Sequence, residues 1–200
     1  EGDIDAFFEA PFAAYGAAGS YVSPMRPDIA RFFDAARNPL FSGGAPFRIY
    51  AVADGAGRLR GRICAHLHPA SNARHRERRG CFGFFDCAVD PEAAQTLLGA
   101  AEAFARSHGC DRLAGNFNLT AMQQIGVMTG GFDEAPYTDM VWGPPHLPTL
   151  LAAHGFSPTF PMTTFEIALD APQDPERTPS PKVRALLADS AIDWAPIDRR

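Results

Sequence analysis

The chain has 200 residues, of which 46% are hydrophobic and 20% charged, and a formal net charge of −5. That length suits one domain with a substantial core, or one domain and the opening of another. The acidic balance excludes a general attraction to nucleic acid or an anionic membrane, and no apolar run approaches the roughly 18–20 residues that span a bilayer.

The first residues show no basic-then-apolar leader, so no secretion signal is expected. Helical spacing of Phe and Ala predicts a helix over Ile4 to Tyr15. Two prolines in "YVSPMRP" break the pattern. Asp28 is then placed to cap a second helix, "IARFFDAARN", ending at Asn38-Pro39. "FRIYAVAD" alternates and reads as a strand, "DGAG" as a turn, and "RLRGRICAHLH" as the return strand of a hairpin. "PASNARHRERRG" reads as a polar connection. "CFGFFDCAV" is almost continuously apolar, as in a strand buried on both faces. A helix follows to about His108, with Asp90 as its cap, Pro91 in its first turn and Gly109 as its stop. "DRLAGNFN" is the next strand, and the strand–helix–strand order predicts parallel pairing through a right-handed crossover.

The stretch from Leu119 to Pro145 has at most one short helix by pattern, and irregular segments this long in compact domains tend to be functional. "HLPTLLAAHGF" reads as a helix and "TFPMTTFEIAL" as a strand. "DAPQDPERTPSP" is a Pro/Asp-rich linker, after which Ser180 and Pro181 open a further helix. The expected organisation is one α/β (α+β) domain over residues 1–170, with a central mixed sheet flanked by helices. Residues 171–200 form a linker and the start of a further helix or unit. Cys64, Cys81, Cys87 and Cys110 lack CxxC spacing, and three sit in apolar surroundings. Reduced, buried thiols in a cytoplasmic protein are expected.

Several residues stand out chemically. Asp86 is the one carboxylate inside the buried strand, and burial suits a carboxylate to base chemistry. Asn116 and Asn118 flank Phe117 and share one face at the end of a strand, where ligands bind in open α/β sheets. His66 and His68 share a strand face. With no third ligand evident, no metal is expected, and His68 is kept as a cleft residue. Arg74, Arg76, Arg78 and Arg79 form a basic run suited to a solvated loop. Met122, Met128, Tyr137, Met140 and Trp142 can wall an apolar pocket.

The segments "DAFFEAPFAAYG", "YVSPM", "ARNPLF", "GRICAHLHPASN", "GCFGFFDCAVDPEAAQTLLGAAEAFARSHG", "GNFNLT", "GGFDEAP" and "GPPHLPTLLAAHGF" follow one another from Asp3 to about Leu169. In that order they resemble a bacterial group of GNAT-like (N-acetyltransferase) proteins. The resemblance implies two neighbouring strands that splay into a V. It implies acetyl-CoA or another pantetheine thioester lying against Phe84, Phe85, Asp86 and Cys87, with an amine as acceptor. Asp86, whose role the resemblance supports, is expected to be catalytic together with Asn118 and Tyr137, and Asn116, Asn118, His68, Met128 and Trp142 are expected to line the substrate pocket. The chain departs from the family's pattern twice. The pyrophosphate loop, normally Q/R-x-x-G-x-G/A, is reduced to "DPEAA", where Asp90 and Glu92 add negative charge and Pro91 removes an N–H. Leu151 stands where many such enzymes carry an acidic Tyr. A donor carried on a protein would need no nucleotide site. The expected function is therefore acyl transfer from CoA or a carrier-borne thioester to an amine. The alternative is an inactive domain of the same fold that binds a small molecule or a protein. A less favoured third reading is decarboxylation or hydrolysis of a CoA ester.

Overall fold

In the computed structural model, the described residues are 3–16, 20–120, 122, 124–134, 136, 140–165 and 180–191. The chain divides after Pro158 into two compact units.

In the first unit, α1 (Ile4–Tyr15) starts where the Asp3 carboxylate accepts from the Asp5 and Ala6 N–H groups. Helix α2 spans Arg26–Phe32 with Met25 at its cap, three residues ahead of the expected cap, and it ends short of the expected Asn38; Asp28 lies in its first turn and is not its cap. Pro27 sets this start, because its fixed φ suits the first helical turn. A one-turn helix, α3 (Pro39–Ser42), is capped by Asn38. Strands β1 (Phe47–Ala53) and β2 (Leu59–Leu67) form an antiparallel hairpin. Its turn is held by Asp54, which accepts from the Ala56 and Arg58 N–H groups.

The polar connection expected next contains a short helix, α4 (Pro69–His75). Its prolyl start and Ala-rich middle satisfy the local rules for a helix despite the lack of an apolar stripe. Strand β3 (Arg79–Cys87) pairs antiparallel with β2, and helix α5 (Pro91–Ser107) crosses over to β4 (Arg112–Ala114), which lies parallel to β3. The sheet order is β1-β2-β3-β4. It is a mixed sheet flanked by helices, the α/β architecture expected.

Each face of the sheet has its own core. Ile63, Ala65, Leu67, Phe82, Phe85 and Cys87 pack against Leu97, Leu98 and Ala101 of α5 and against Leu147, Leu150 and Leu151 of α6 (His146–Ala153). Each fully buried Leu contributes roughly 2 kcal/mol. On the other face, Cys64, Ile49 and Phe84 meet Phe7, Ile29, Phe41 and Leu119.

One irregularity positions everything that follows. Arg62 pairs with Asp86 and Cys64 with Gly83, so β3 carries one more residue than β2 between these points. This is a β-bulge, and Phe84 adopts φ 52 within it. Such a conformation is strained for a bulky residue. It is held by the Phe84 ring, which packs edge-on to Phe7 and Phe33. Beyond the bulge the side-chain alternation is shifted: Phe85 and Cys87 face α5, while Phe84 and Asp86 face α1.

Regular pairing with β4 ends just before this bulge. β4 pairs with β3 over three residues only, ending at Cys81 opposite Ala114. Gly115 lies against the Phe82 ring, and the chain then passes over Gly83, where an added Cβ would stand 1.7 Å from the Phe117 carbonyl oxygen.

In the second unit, α7 (Pro181–Ala188) starts with the Ser180 hydroxyl accepting from Val183, as expected. The strand expected over residues 159–169 is not formed at 159–165; residues 166–169 lie outside the described set. No described strand pairs with this segment, and a strand needs a hydrogen-bonded neighbour to persist. Among the described residues no helix is long and apolar enough to cross a membrane.

Gly83→Ala is expected to destabilise the protein by about 3 kcal/mol, because backbone cannot yield to a Cβ as a side chain can. A urea titration checks this: the midpoint drops while the slope is retained.

Candidate functional site

The polar centre of the molecule lies where α1 crosses β2 and β3. Arg62 is 2% exposed and Asp86 7%. Arg62 Nε donates to Asp86 Oδ2 at 2.7 Å, Nη1 to the Phe7 carbonyl at 3.1 Å, and Nη2 to the Tyr21 hydroxyl at 2.9 Å. The guanidinium also lies over the Phe7 and Phe84 rings, 4.8 and 5.5 Å from their centroids. The Tyr15 hydroxyl donates to Asp86 Oδ1 at 2.7 Å. Both carboxylate oxygens therefore have a donor, and the guanidinium has three acceptors. A buried ion pair is tolerated only when satisfied in this way.

These contacts fix the protonation of the neighbours. Burial raises the Tyr15 pKa far above its ordinary value, and the Asp86 charge adds to this. Tyr15 is thus a phenol that keeps its proton. Tyr21 shifts upward as well, chiefly by burial. For Arg62, burial acts downward, but Asp86 and Tyr21 outweigh it and the net shift is upward. Burial also raises the Cys87 thiol to about 12, so it offers no nucleophile at neutral pH.

Two aromatic groups close this centre. Trp142 packs edge-on to Tyr15, with centroids 5.5 Å apart, and lies 6.4 Å from Tyr21. Its indole N–H is buried without an acceptor among the described residues. His146, at the start of α6, places Nε2 2.7 Å from the Cys87 carbonyl. A carbonyl only accepts, so Nε2 carries a proton, and Nδ1 is the basic atom of the neutral ring. The His146 ring lies 6.5 Å from Tyr15.

The Asn residues singled out in the sequence meet β3 rather than open space. Asn118 Oδ1 accepts from the Phe84 N–H at 2.6 Å, and Asn116 Oδ1 from the Phe85 N–H at 3.4 Å. They take the ladder positions that β4 leaves vacant. Asn118 Nδ2 continues to Gln124 Oε1 at 2.9 Å. Of the other expected site residues, Met128 is half-buried in the segment after Gln124. His68 lies beside His66 at the far end of β2 from Asp86. Tyr137 lies outside the described residues.

The turn into α5 is filled by its own side chains. Asp90 Oδ1 accepts from the Ala93 N–H at 3.0 Å, and Arg60 Nε donates to Asp90 Oδ2 at 3.0 Å. The bond from Ala93, with help from Arg60, holds the Asp90 carboxyl below the usual carboxylate range. Leu151 is buried in the core. A cavity of about 560 Å³, walled by Tyr50, Phe104 and His108 among others, lies between β1 and α5. It is on the opposite face from Asp86 and holds none of this chemistry.

Sequence reasoning missed Arg62, Tyr15, Tyr21 and His146. Arg62 carries one faint signal, a charge inside an otherwise apolar return strand. The tyrosines sit near a helix end, a place where aromatic residues need no special explanation. His146 looks like any first-turn residue.

No family model matches the chain, and no solved structure matches it. Protein YghO of Escherichia coli is 32% identical over 145 residues, covering 72% of this chain and 36% of that protein. A bacterial ceramide synthase of Caulobacter vibrioides is 28% identical over 134 residues, covering 66% of this chain and 32% of that protein. The chain thus spans about a third of the length of these curated relatives.

Removing either partner of the central pair is costly. Arg62→Met strands the Asp86 charge and is expected to lose about 3–5 kcal/mol, whereas Tyr15→Phe loses one hydrogen bond to a carboxylate, about 2 kcal/mol. Urea midpoints of the two variants check the order. Asp90→Ala should cost about 1 kcal/mol at pH 7. Because the folded Asp90 pKa is lowered, its contribution is present above the unfolded value of about 3.9 and is lost as pH falls through the folded one. Wild type and Asp90→Ala should therefore converge in stability in acid, which paired urea titrations at neutral and acid pH would detect.

Proposed function

We propose that this chain forms the acyl-transfer part of a GNAT-like N-acyltransferase, moving an acyl group from a pantetheine thioester to an amine. The observation that carries this reading is the satisfied Asp86–Arg62–Tyr15 network set by the β3 bulge, with a buried Trp142 N–H beside it that has no acceptor among the described residues. A buried donor without an acceptor is costly and rare, and a thioester or substrate oxygen would satisfy it. The likeness to a bacterial ceramide synthase supports the reaction class. A ceramide is a long-chain amino alcohol acylated on nitrogen, so a lipid amine is the acceptor class this likeness favours.

In this reading the amine nitrogen attacks the thioester carbonyl carbon. The C–N bond forms, the C–S bond breaks, and the amine proton goes to a base while the departing thiolate gains one. Asp86, with both oxygens engaged, orients Tyr15 and Arg62. His146 Nδ1 takes the amine proton, a role worth about 10²–10⁴ in rate. Trp142 donates to the carbonyl oxygen as negative charge develops there. The pantetheine arm enters the splay by replacing the weaker of the two amide plugs, the 3.4 Å bond of Asn116 to Phe85. The α5 turn, filled by Asp90 and Arg60, favours a donor whose nucleotide contributes little, such as a carrier-borne thioester.

Calorimetric titration with acetyl-CoA and acetyl-pantetheine, followed by release of free thiol with a panel of lipid amines, tests the reading. Similar binding of the two donors is expected. Trp142→Phe should weaken binding about tenfold, and His146→Gln should cut turnover by about 10² or more. No binding of either donor up to millimolar concentration would overturn the transferase reading and leave a non-catalytic binding domain as the alternative.

A further inference from the structure

At the other end of the same sheet face, β2 and β3 bring together His66, His68 and Cys81. His66 stands directly across the ladder from Cys81. His68 follows on the same face, its ring edge-on to His66 with centroids 5.0 Å apart. One ligand atom from each residue lies within 4.8 Å of the others. The sequence showed the two histidines but not the cysteine, which is fifteen residues from His66 and adjacent only through strand register.

The decisive atom is His66 Nδ1. His66 is fully buried. Its Nε2 lies 3.1 Å from the Phe117 carbonyl, so Nε2 carries the ring proton. Nδ1 is then a buried lone pair, and it has no hydrogen-bond partner among the described residues. His68 is half-buried, and its ring lies close to the Leu119 backbone. A ring anchored by one nitrogen on a carbonyl, with the other nitrogen free, is the form in which histidine binds metals.

We propose that His66 Nδ1, His68 and Cys81 Sγ bind a zinc ion, with a fourth position open to water on the half-buried side of His68. Two imidazoles and a thiolate select zinc over magnesium or calcium, which prefer oxygen ligands. Tetrahedral zinc sets such ligand atoms roughly 3.3–3.6 Å apart, so small side-chain movements close the cluster. The Cys81 S–H bond breaks as the Zn–S bond forms, and the proton leaves to solvent. Arg79 and Glu77 are charged side chains that act on Cys81, and they face each other at 3.5 Å, which moderates the repulsion Arg79 exerts on a cation. The bound ion stiffens the 116–119 loop through the His66 ring bond to Phe117. That loop supplies the two amides holding the bulge of β3. The ion is thus a brace and not the reacting centre, and the site does not depend on the acyl-transfer reading.

The test is titration of tag-free, chelator-treated protein with Co²⁺ as a spectroscopic stand-in, followed by Zn²⁺ displacement. Wild type should take up a single cobalt ion per chain with a near-ultraviolet thiolate-to-cobalt band, and zinc should raise its melting temperature. Cys110→Ser should behave as wild type. Cys81→Ser should lose the band, and His68→Ala, at a half-buried position, should bind on the order of tenfold more weakly or worse. Absence of cobalt uptake by wild type, survival of the band in Cys81→Ser, or unchanged affinity in His68→Ala would each overturn the site. If Cys81→Ser does not fold, the His68→Ala affinity decides.

Discussion

The buried ion pair between Arg62 and Asp86 is the constraint around which this fold is arranged. Two opposite charges taken out of water are tolerable only if each finds further partners. Here α1 supplies the Phe7 carbonyl and the Tyr15 hydroxyl, and the following segment supplies Tyr21. The first helix is therefore tied to the sheet by polar bonds as well as by the Phe7 and Ile29 core. A salt bridge of this kind adds little net stability, but it strongly disfavours any packing in which α1 sits elsewhere.

The pair exists because of the bulge at Phe84. An uninterrupted strand would place Phe82, Phe84 and Asp86 on one face, sending the carboxylate into the apolar layer under α5. The extra residue turns Asp86 toward Arg62 and gives Phe85 to the α5 core instead. The strain at Phe84 is balanced by its aromatic neighbours and by the short bond from its N–H to Asn118. Regular pairing with β4 ends at Cys81, just before the bulge, and residues 116–118 continue along β3 through the Phe117–Phe82 backbone bond and the two Asn side chains.

The face toward α1 carries polar chemistry at both ends and apolar contacts between them. Arg62 and Asp86 occupy one end, His66, His68 and Cys81 the other, with Cys64 and Phe84 in the middle. The loop of residues 116–119 runs between them. Its Phe117 carbonyl anchors His66, and its amide side chains finish the strand that β4 abandons.

Local physics made most elements readable in advance. The Asp90-Pro91 start and Gly109 stop of α5, the Ser180 cap of α7 and the alternation of β1 all depend on neighbours within a few residues. Local pattern failed wherever a partner far along the chain decides the outcome. The segment at 159–165 has strand composition but no described strand beside it, and α4 has helix propensity but no apolar stripe. The site was half readable for the same reason. Asp86, Asn116, Asn118 and Trp142 stand out as residue types in context, whereas Arg62, Tyr15 and His146 acquire meaning only once α1 and α6 are laid on the sheet. Which face Asp86 takes depends on one inserted residue in the ladder. That is a property of register between two strands, and neither strand alone contains it.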